Sequence, residues 1–150
     1  MTVHHLEREQ VLAHPIGEVF EFFSQARNLE RITPRWLRFE VLTPEPVAMH
    51  VGALIDYRLR VHGLPLRWTS QIEEWVPGRA FVDRQVRGPY KLWHHRHTFR
   101  PAGSGTLVRD EVDYALSLGP LGGVAHAMLV RSDLERIFDF RQTAVREALA

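Results

Sequence analysis

Two histidines and one aspartate are the side chains of this sequence whose types and spacing could do chemistry. His95 and His97 lie two residues apart in an alternating segment, so a β-strand would direct both imidazoles to one face, together with aromatic rings. Asp110 lies in a later segment whose alternate residues are apolar, so its carboxylate points where hydrocarbon is expected. If the loop 101–105 joins the two strands as a hairpin, the imidazoles and the carboxylate share one side of the sheet.

Several interpretations of this polar group remain open from the sequence. A buried imidazole hydrogen-bonded to a carboxylate would satisfy both groups and fix the register of the strands. The same groups could anchor a hydroxyl, carbonyl or carboxylate of a ligand inside an otherwise apolar pocket. Asp110 could also orient His95 or His97 for general acid–base catalysis. Two histidines and a carboxylate could form a metal-binding triad, but strand spacing is a weak indication and we predict no metal.

The composition of the chain limits the classes of protein to which it can belong. The chain has 150 residues, 45% of them hydrophobic and 25% charged, which predicts one globular domain spanning 1–150. A net charge of +1 without a basic run argues against a nucleic-acid partner. The absence of cysteine excludes disulfides and thiolate chemistry. Because no segment reaches the roughly 20 apolar residues of a membrane span and no signal peptide is recognisable, we expect a cytoplasmic protein that does not insert into membranes.

The periodicity of apolar residues predicts the elements that position these side chains. After a weak opening strand, helical spacing begins at Pro15, and a second short helix ends at Pro34. From Trp36 the period changes to about two, and tight turns divide the chain up to Leu118 into about six antiparallel strands. Beyond a glycine-rich break, helical spacing continues to Ala150. We therefore predict an α+β domain of two layers, in which a curved antiparallel sheet wraps around a long C-terminal helix.

Other polar residues are expected to lie outside the central group. His4 and His5 are predicted to belong to a disordered terminus. Asp83 and Gln85 share the register of Phe81 on the preceding strand and could add polarity to the inner wall, but we expect a solvated edge of the sheet there.

The order of these elements resembles the SRPBCC superfamily, also called START-like or birch-pollen-allergen-like, whose members have the helix-grip fold. More narrowly, the chain is similar to the bacterial polyketide cyclase/dehydrase-like branch. The segments that carry the resemblance are 15–23 (PIGEVFEFF), 28–34 (NLERITP), 93–95 (WHH) and 119–122 (GPLG). The resemblance implies a deep apolar cavity between the sheet and the long helix, which binds lipids, sterols, polyketides or other hydrophobic molecules. It implies no universal catalytic residue.

The predicted cavity has an aromatic-rich lining with the polar group at its centre. The residues expected to line it are Tyr57, Leu59, Trp68, Ile72, Phe81, Trp93, His95, His97, Phe99, Asp110, Val112, Tyr114 and Met128. The turn 63–65 and the segment 119–123 are expected to close its mouth, because both are rich in residues that permit backbone movement. The alternative is that the same side chains fill a dry core.

Three functions from different classes are compatible with this pattern. The first is binding of a hydrophobic or aromatic small molecule without any cofactor, by a monomer or a homodimer. The second is a cyclase or dehydratase acting on a polyketide-like substrate, with His95 or His97 as the base and Asp110 or Tyr114 assisting. The third is a partner-binding module that uses the arginine-rich outer faces of the strands.

Overall fold

The structure is a computed structural model that describes residues 1–117 and 123–150, with the backbone alone described for 123–125. The elements in chain order are β1 (His4–Leu12), α1 (Ile16–Ser24), α2 (Asn28–Ile32), a 3-10 helix (Arg35–Leu37), β2 (Glu40–Val41), β3 (Leu54–Val61), β4 (Leu64–Val76), β5 (Ala80–Arg87), β6 (Tyr90–Ala102), β7 (Gly105–Leu116) and α3 (Gly123–Leu149).

The strands of the described residues form one antiparallel sheet of seven strands in the order β1-β7-β6-β5-β4-β3-β2. Consecutive strands pair along the chain from β2 to β7, and β1 closes the other edge by pairing with β7. The β6–β7 connection is a two-residue turn, since Ala102 pairs with Gly105 and Gly103 adopts a positive φ of 60°. This confirms the predicted hairpin, and the sheet with its long C-terminal helix confirms the predicted two-layer α+β fold.

The helices cover one face of the sheet, which we call the inner face. Helix α1 buries Val19, Phe20 and Phe23 because the spacing of these residues places them on one side of the helix. Helix α3 buries Leu134 and Phe138, which are one turn apart. The strands alternate between buried and accessible residues, as expected for a sheet with one covered face.

The apolar core is divided into three clusters. The α1 cluster comprises Leu12, Val19, Phe20, Phe22, Phe23, Ile32, Phe81, Phe99, Val108 and Val145. The α3 cluster comprises Leu6, Trp93, Val112, Tyr114, Leu134 and Phe138. The β3 cluster comprises Ala26, Ala53, Ile55, Tyr57 and Ile72, and the half-buried Trp68 packs against both it and the α3 cluster. The core is therefore not one uniform apolar body, although small domains usually have a single contiguous cluster.

Two local expectations were wrong. The alternation that predicts a strand from Trp36 instead belongs to a 3-10 turn, in which the Leu37 and Arg38 amides donate to the Pro34 and Arg35 carbonyls. Arg38 ends this turn with a φ of 46°, so regular strand geometry starts only at β2. His4 and His5 are not in a disordered terminus, because both lie in β1 and pair with Tyr114 and Asp113 of β7.

Among the described residues, none of the helices combines the length and the apolar character that crossing a bilayer requires.

Candidate functional site

Strands β5, β6 and β7 place four ionisable side chains next to each other on the inner face. His97 is paired with Asp110 on β7, and His95 is paired with Asp83 on β5. Directly opposed residues of antiparallel strands point to the same face, so the register brings both carboxylates next to both imidazoles. His95 and His97 are only 4% and 3% exposed. The predicted common face of the two imidazoles and Asp110 is confirmed.

The side chains connect diagonally across the register. His95 Nε2 lies 2.8 Å from Asp110 Oδ1, and His97 Nε2 lies 2.7 Å from Asp83 Oδ2. The two imidazole rings stack with centroids 3.7 Å apart and planes inclined by 23°. Asp83 is therefore part of the inner wall, and the expectation that it lies at a solvated edge was wrong.

Helix α3 contributes a cation to this group. Arg141 Nη2 lies 3.7 Å from Asp110 Oδ1, and the Arg141 side chain is only 13% exposed. Its guanidinium also lies over the rings of Phe23 and Phe138, at 5.5 and 5.8 Å from their centroids. We call His95, His97, Asp83, Asp110 and Arg141 together the polar network. It lies where the α1 cluster and the α3 cluster meet.

Burial and mutual charge separate the two histidines. Burial lowers the pKa of His95, and the positive charge of His97 lowers it further, to about 4 despite the hydrogen bond to Asp110. Burial also pulls the pKa of His97 down, but the contacts with Asp110 and Asp83 outweigh it and the pKa is raised. The pKa values of the two histidines are therefore shifted in opposite directions, and His97 holds a proton more tightly than His95.

The two carboxylates remain ionised. Burial alone would raise the pKa of Asp110, but the Arg141 charge, the hydrogen bond from His95 and the nearby His97 hold it well below its usual range. The pKa of Asp83 is also lowered, because contacts with His97 and His95 outweigh its burial. When His97 is protonated and His95 is not, two carboxylates face one imidazolium and one guanidinium, and the polar network then carries no net charge. Neutrality is what makes its burial tolerable.

Two donor nitrogens of the polar network lack a hydrogen-bond partner among the described residues. They are His97 Nδ1 and Arg141 Nη2, and both are buried. Both approach Asp110 Oδ1, at 3.3 and 3.7 Å, without forming a good hydrogen bond. Buried donors without partners are rare in folded proteins, so these two nitrogens could serve an oxygen atom of a bound molecule.

An aromatic wall continues from the polar network along β6. Trp93 lies 4.9 Å from Tyr90 and 5.2 Å from Trp68, measured between ring centroids, and Trp68 packs edge-on against Tyr90 at 5.6 Å. Tyr114 adds a fourth ring, 6.0 Å from Tyr90. The other side of Trp93 faces His95 at 6.3 Å. We call Trp68, Tyr90, Trp93 and Tyr114 the aromatic wall.

Most of the residues predicted to line a cavity are buried, in the three clusters, in the polar network or, for Leu59, on β3. The buried ones are Tyr57, Leu59, Ile72, Phe81, Trp93, His95, His97, Phe99, Asp110, Val112 and Tyr114. Trp68 is half-buried, and its indole nitrogen donates to Ser70 Oγ at 3.0 Å.

The predicted inward position of Met128 is wrong, because its side chain is 66% exposed. The inward stripe of α3 runs through Val130, Leu134 and Phe138 at intervals of four residues. Met128 is two residues from the start of that stripe, which places it on the far side of the helix.

Sequence reasoning did not assign Asp83 or Arg141 to the site, and it did not include Tyr90. A signal for Arg141 existed, because it falls on the otherwise apolar stripe of the C-terminal helix at the helical interval after Ile137. A charged residue at such a position needs a buried partner of opposite charge.

Two cavities in the described part of the chain have no lining residue in the polar network. One, of about 590 Å³, lies between α2 and the C-terminal half of α3. The other, of about 330 Å³, lies along β3 and β4, and its lining combines the outward Arg67 and Arg87 with Tyr57 and Trp68 of the inner face. Of the two segments expected to close the mouth, 119–123 falls largely outside the described residues. The turn at Gly63 lies close to α3, since His62 Nε2 is 2.8 Å from Asp133 Oδ2.

The polar network contains three possible metal ligands, but their orientation does not suit a metal. One ligand atom each from Asp83, His95 and His97 lie within 4.8 Å of one another. A metal ion bound by imidazole nitrogen lies near the plane of the ring at about 2.0–2.1 Å. The rings of His95 and His97 are stacked and nearly parallel, so no point at that distance lies in both planes.

A curved antiparallel sheet closed against a long C-terminal helix, with two short helices after the first strand, is the helix-grip fold of the SRPBCC superfamily. The chain belongs to the family described as polyketide cyclase / dehydrase and lipid transport, whose model matches residues 12–143. No curated protein matches the sequence.

Solved structures with the same fold come from bacteria and plants. The Zhui aromatase/cyclase from Streptomyces sp. R1128 matches with a TM-score of 0.73 and 20% identity, covering 98% of this chain and 93% of that one. A protein from Chromobacterium violaceum matches with a TM-score of 0.74 and 15% identity, over 97% and 96% of the two chains. The ginseng major latex-like protein 151 from Panax ginseng matches with a TM-score of 0.69 and 14% identity, over 97% of each chain. These similarities establish the fold.

Proposed function

We propose that this protein binds a hydrophobic, ring-containing small molecule between the inner face of the sheet and α3. The observation that carries the proposal is the aromatic wall, which ends at the polar network. Trp68 and Tyr90 remain only half-buried although they pack against other rings. Partly exposed aromatic faces beside a few polar groups are typical of small-molecule sites, where hydrocarbon supplies affinity and polar groups set orientation.

The polar network defines the orientation of the ligand in this proposal. When His97 is protonated and His95 is not, the network carries no net charge, so a neutral ligand would meet no repulsion there. The donors His97 Nδ1 and Arg141 Nη2 match a carbonyl or hydroxyl oxygen of the ligand. A ring system would then lie along the aromatic wall, with its oxygen directed toward these two nitrogens.

Ligand titration of the intact protein tests this function. We expect naphthol-like and polycyclic aromatic ketones to raise the midpoint of thermal unfolding, because a ligand at about 100 times its Kd adds about 2.7 kcal/mol of stability. Fatty acids of similar volume should shift the midpoint less. If no aromatic or aliphatic compound of the panel shifts the midpoint, the inner face is a filled core and the proposal is wrong.

A matched pair of tryptophan variants locates the site. Trp68→Leu removes one ring of the aromatic wall and should weaken binding. Trp75→Leu removes a half-buried ring of the same size from β4, where it packs against Phe20 and Phe81 instead. Equal loss of affinity in both variants would show that the effect arises from general destabilisation and not from the proposed site.

A second candidate is acid–base catalysis on a polyketide-like substrate. It is supported by the separation of the histidine pKa values, because a neutral His95 can accept a proton while a charged His97 can donate one. Burial raises the pKa of Tyr114, so its hydroxyl would act as a donor. His95→Gln and His97→Gln should each abolish turnover of a poly-β-ketone substrate. Unchanged turnover in both variants would exclude this candidate while leaving ligand binding intact.

A further inference from the structure

The cavity of about 590 Å³ between α2 and α3 is a second place where a small molecule could bind. It lies between α2 and the C-terminal half of α3, and none of the residues that line it belongs to the polar network or to the aromatic wall. They are Glu30, Arg31, Thr33, Arg35, Phe140, Ala144, Glu147 and Ala148. Its volume falls within the range of about 300–1,000 Å³ that is typical of ligand pockets.

One wall of this cavity is apolar because of the residues on α3. Phe140, Ala144 and Ala148 recur at intervals of four residues and so form one stripe along the helix. The two alanines have short side chains, which leaves space between the helices. Phe140 also packs edge-on against Trp36 at 5.9 Å, and Trp36 is 53% exposed. An aromatic surface therefore lies open to a ligand.

The opposite wall carries positive charge that the protein leaves uncompensated. Among the described residues, neither Arg31 nor Arg35 forms an ion pair; Arg31 donates a 3.3 Å hydrogen bond to the Asn28 side chain, and its guanidinium lies 5.8 Å from the centroid of the Phe22 ring. Arg136 lies over the Trp36 ring, 5.2 Å from its centroid, also without a carboxylate partner there.

The carboxylates of Glu30 and Glu147 also line the cavity, on different walls. Glu30 Oε1 accepts a hydrogen bond from the Val41 amide at 2.9 Å, which directs it toward β2. Glu147 lies on α3, on the wall opposite the arginines, and would repel a second negative charge. The arrangement suits a ligand with a single anionic group at the α2 end.

We propose that this cavity binds a small aromatic monocarboxylate, whose carboxylate pairs with Arg31 and Arg35 and whose ring lies against Phe140 and the alanine stripe. Guanidinium groups recognise carboxylates through paired hydrogen bonds, and an uncompensated arginine pair is well suited to this. The site is independent of the proposed ligand between the sheet and α3.

Titration with 1-naphthoate, followed by NMR of the isotopically labelled protein, tests this site. We expect the shifts to concentrate on backbone amides of 30–36 and 140–148 and on the Trp36 indole. The neutral analogue 1-naphthamide should produce much smaller shifts in these segments. Equal shifts with both compounds would overturn the proposed recognition of an anion. Shifts confined to β6 and β7, or no shifts, would overturn the site itself.

Charge variants test the arginine pair. Arg35→Gln should raise the Kd for 1-naphthoate by about fivefold or more, because the lost contact is charge-assisted. Arg60→Gln is the matched control, since it removes an exposed arginine from β3, outside this cavity, and should leave the Kd unchanged. Glu147→Gln should lower the Kd by removing the repulsion. Identical affinities in all three variants would overturn the proposal.

Discussion

Two groups of histidines and carboxylates lie on opposite faces of the same part of the sheet, and both use β7. On the inner face, Asp110 belongs to the polar network. On the outer face, Asp113 contacts His5 Nδ1, and His5 Nε2 lies 3.0 Å from Glu7 Oε1. We call His5, Glu7 and Asp113 the outer cluster. Its His5 and Asp113 side chains are each 46% exposed, whereas those of His95 and His97 are 5% and 3% exposed.

The same residue types behave differently in the two places. In the outer cluster, the hydrogen bonds to Asp113 and Glu7 raise the pKa of His5 and little opposes them. In the polar network, burial makes every charge costly, so one histidine becomes neutral when the other is charged. The comparison shows that burial opposes the charged form of a histidine in this protein, and that only contacts with carboxylates, as at His97, overcome it.

The largest expected effect is on stability when one buried carboxylate is neutralised. Asp110→Asn would leave the charges of His97 and Arg141 facing only Asp83. Breaking a buried ionic group in this way costs about 3–5 kcal/mol. We expect a loss of this size in the free energy of unfolding, measured by urea denaturation at pH 7.

The outer cluster supplies the control for this experiment. Asp113→Asn makes the same chemical change three residues further along β7, and we expect it to cost less than about 1 kcal/mol. A similar loss in both variants would contradict the comparison, because it would mean that burial does not determine the energetic role of these carboxylates.

The sequence predicts that the two imidazoles and Asp110 share one face, but it does not place Asp83 and Arg141 beside them. Alternation within β6 and β7 and the short loop between them suffice to bring the two imidazoles and Asp110 to one face. Asp83 depends in addition on the β5–β6 register, and a slip of one residue would move it to the outer face. Arg141 depends on how α3 is docked on the sheet, which no local pattern specifies.

Irregularities in the strands limit such predictions further. Strand β4 has register shifts between Thr69 and Ser70 and between Ile72 and Glu74. After the second shift it is Trp75, and not Glu74, that packs against the core. Strict alternation from Ile72 would have placed Glu74 inside. Bulges of this kind arise from the fit between strands and leave no clear trace in one sequence.

The second prediction concerns pH. The pKa of His95 is about 4 in the folded protein, against an ordinary value of 6.5. Between these values the unfolded chain binds a proton that the folded protein does not, so the free energy of unfolding should fall by about 3 kcal/mol as the pH decreases from 6.5 to 4. His97 has a raised pKa, so its contribution should instead be lost as the pH rises above 6.5.

Histidine variants test the loss of stability below pH 6.5. His95→Gln should reduce the fall in the free energy of unfolding between pH 6.5 and 4, measured by urea denaturation at a series of pH values, because the group that titrates there is gone. His5→Gln should leave this fall unchanged, since the pKa of His5 is shifted in the opposite direction. If the fall persists in His95→Gln, another group causes it.

The smallest expected effect is the response of the two clusters to salt. At about 1 M salt the Debye length is about 3 Å, so exposed charges are largely screened while buried ones are not. The cost of Asp113→Asn should therefore disappear when urea denaturation is repeated at about 1 M NaCl, because the outer cluster is open to ions. The cost of Asp110→Asn should persist, since the polar network is closed to them. If high salt reduced both costs equally, ions would have access to the inner face. The lowered pKa of His95 would then need a cause other than burial.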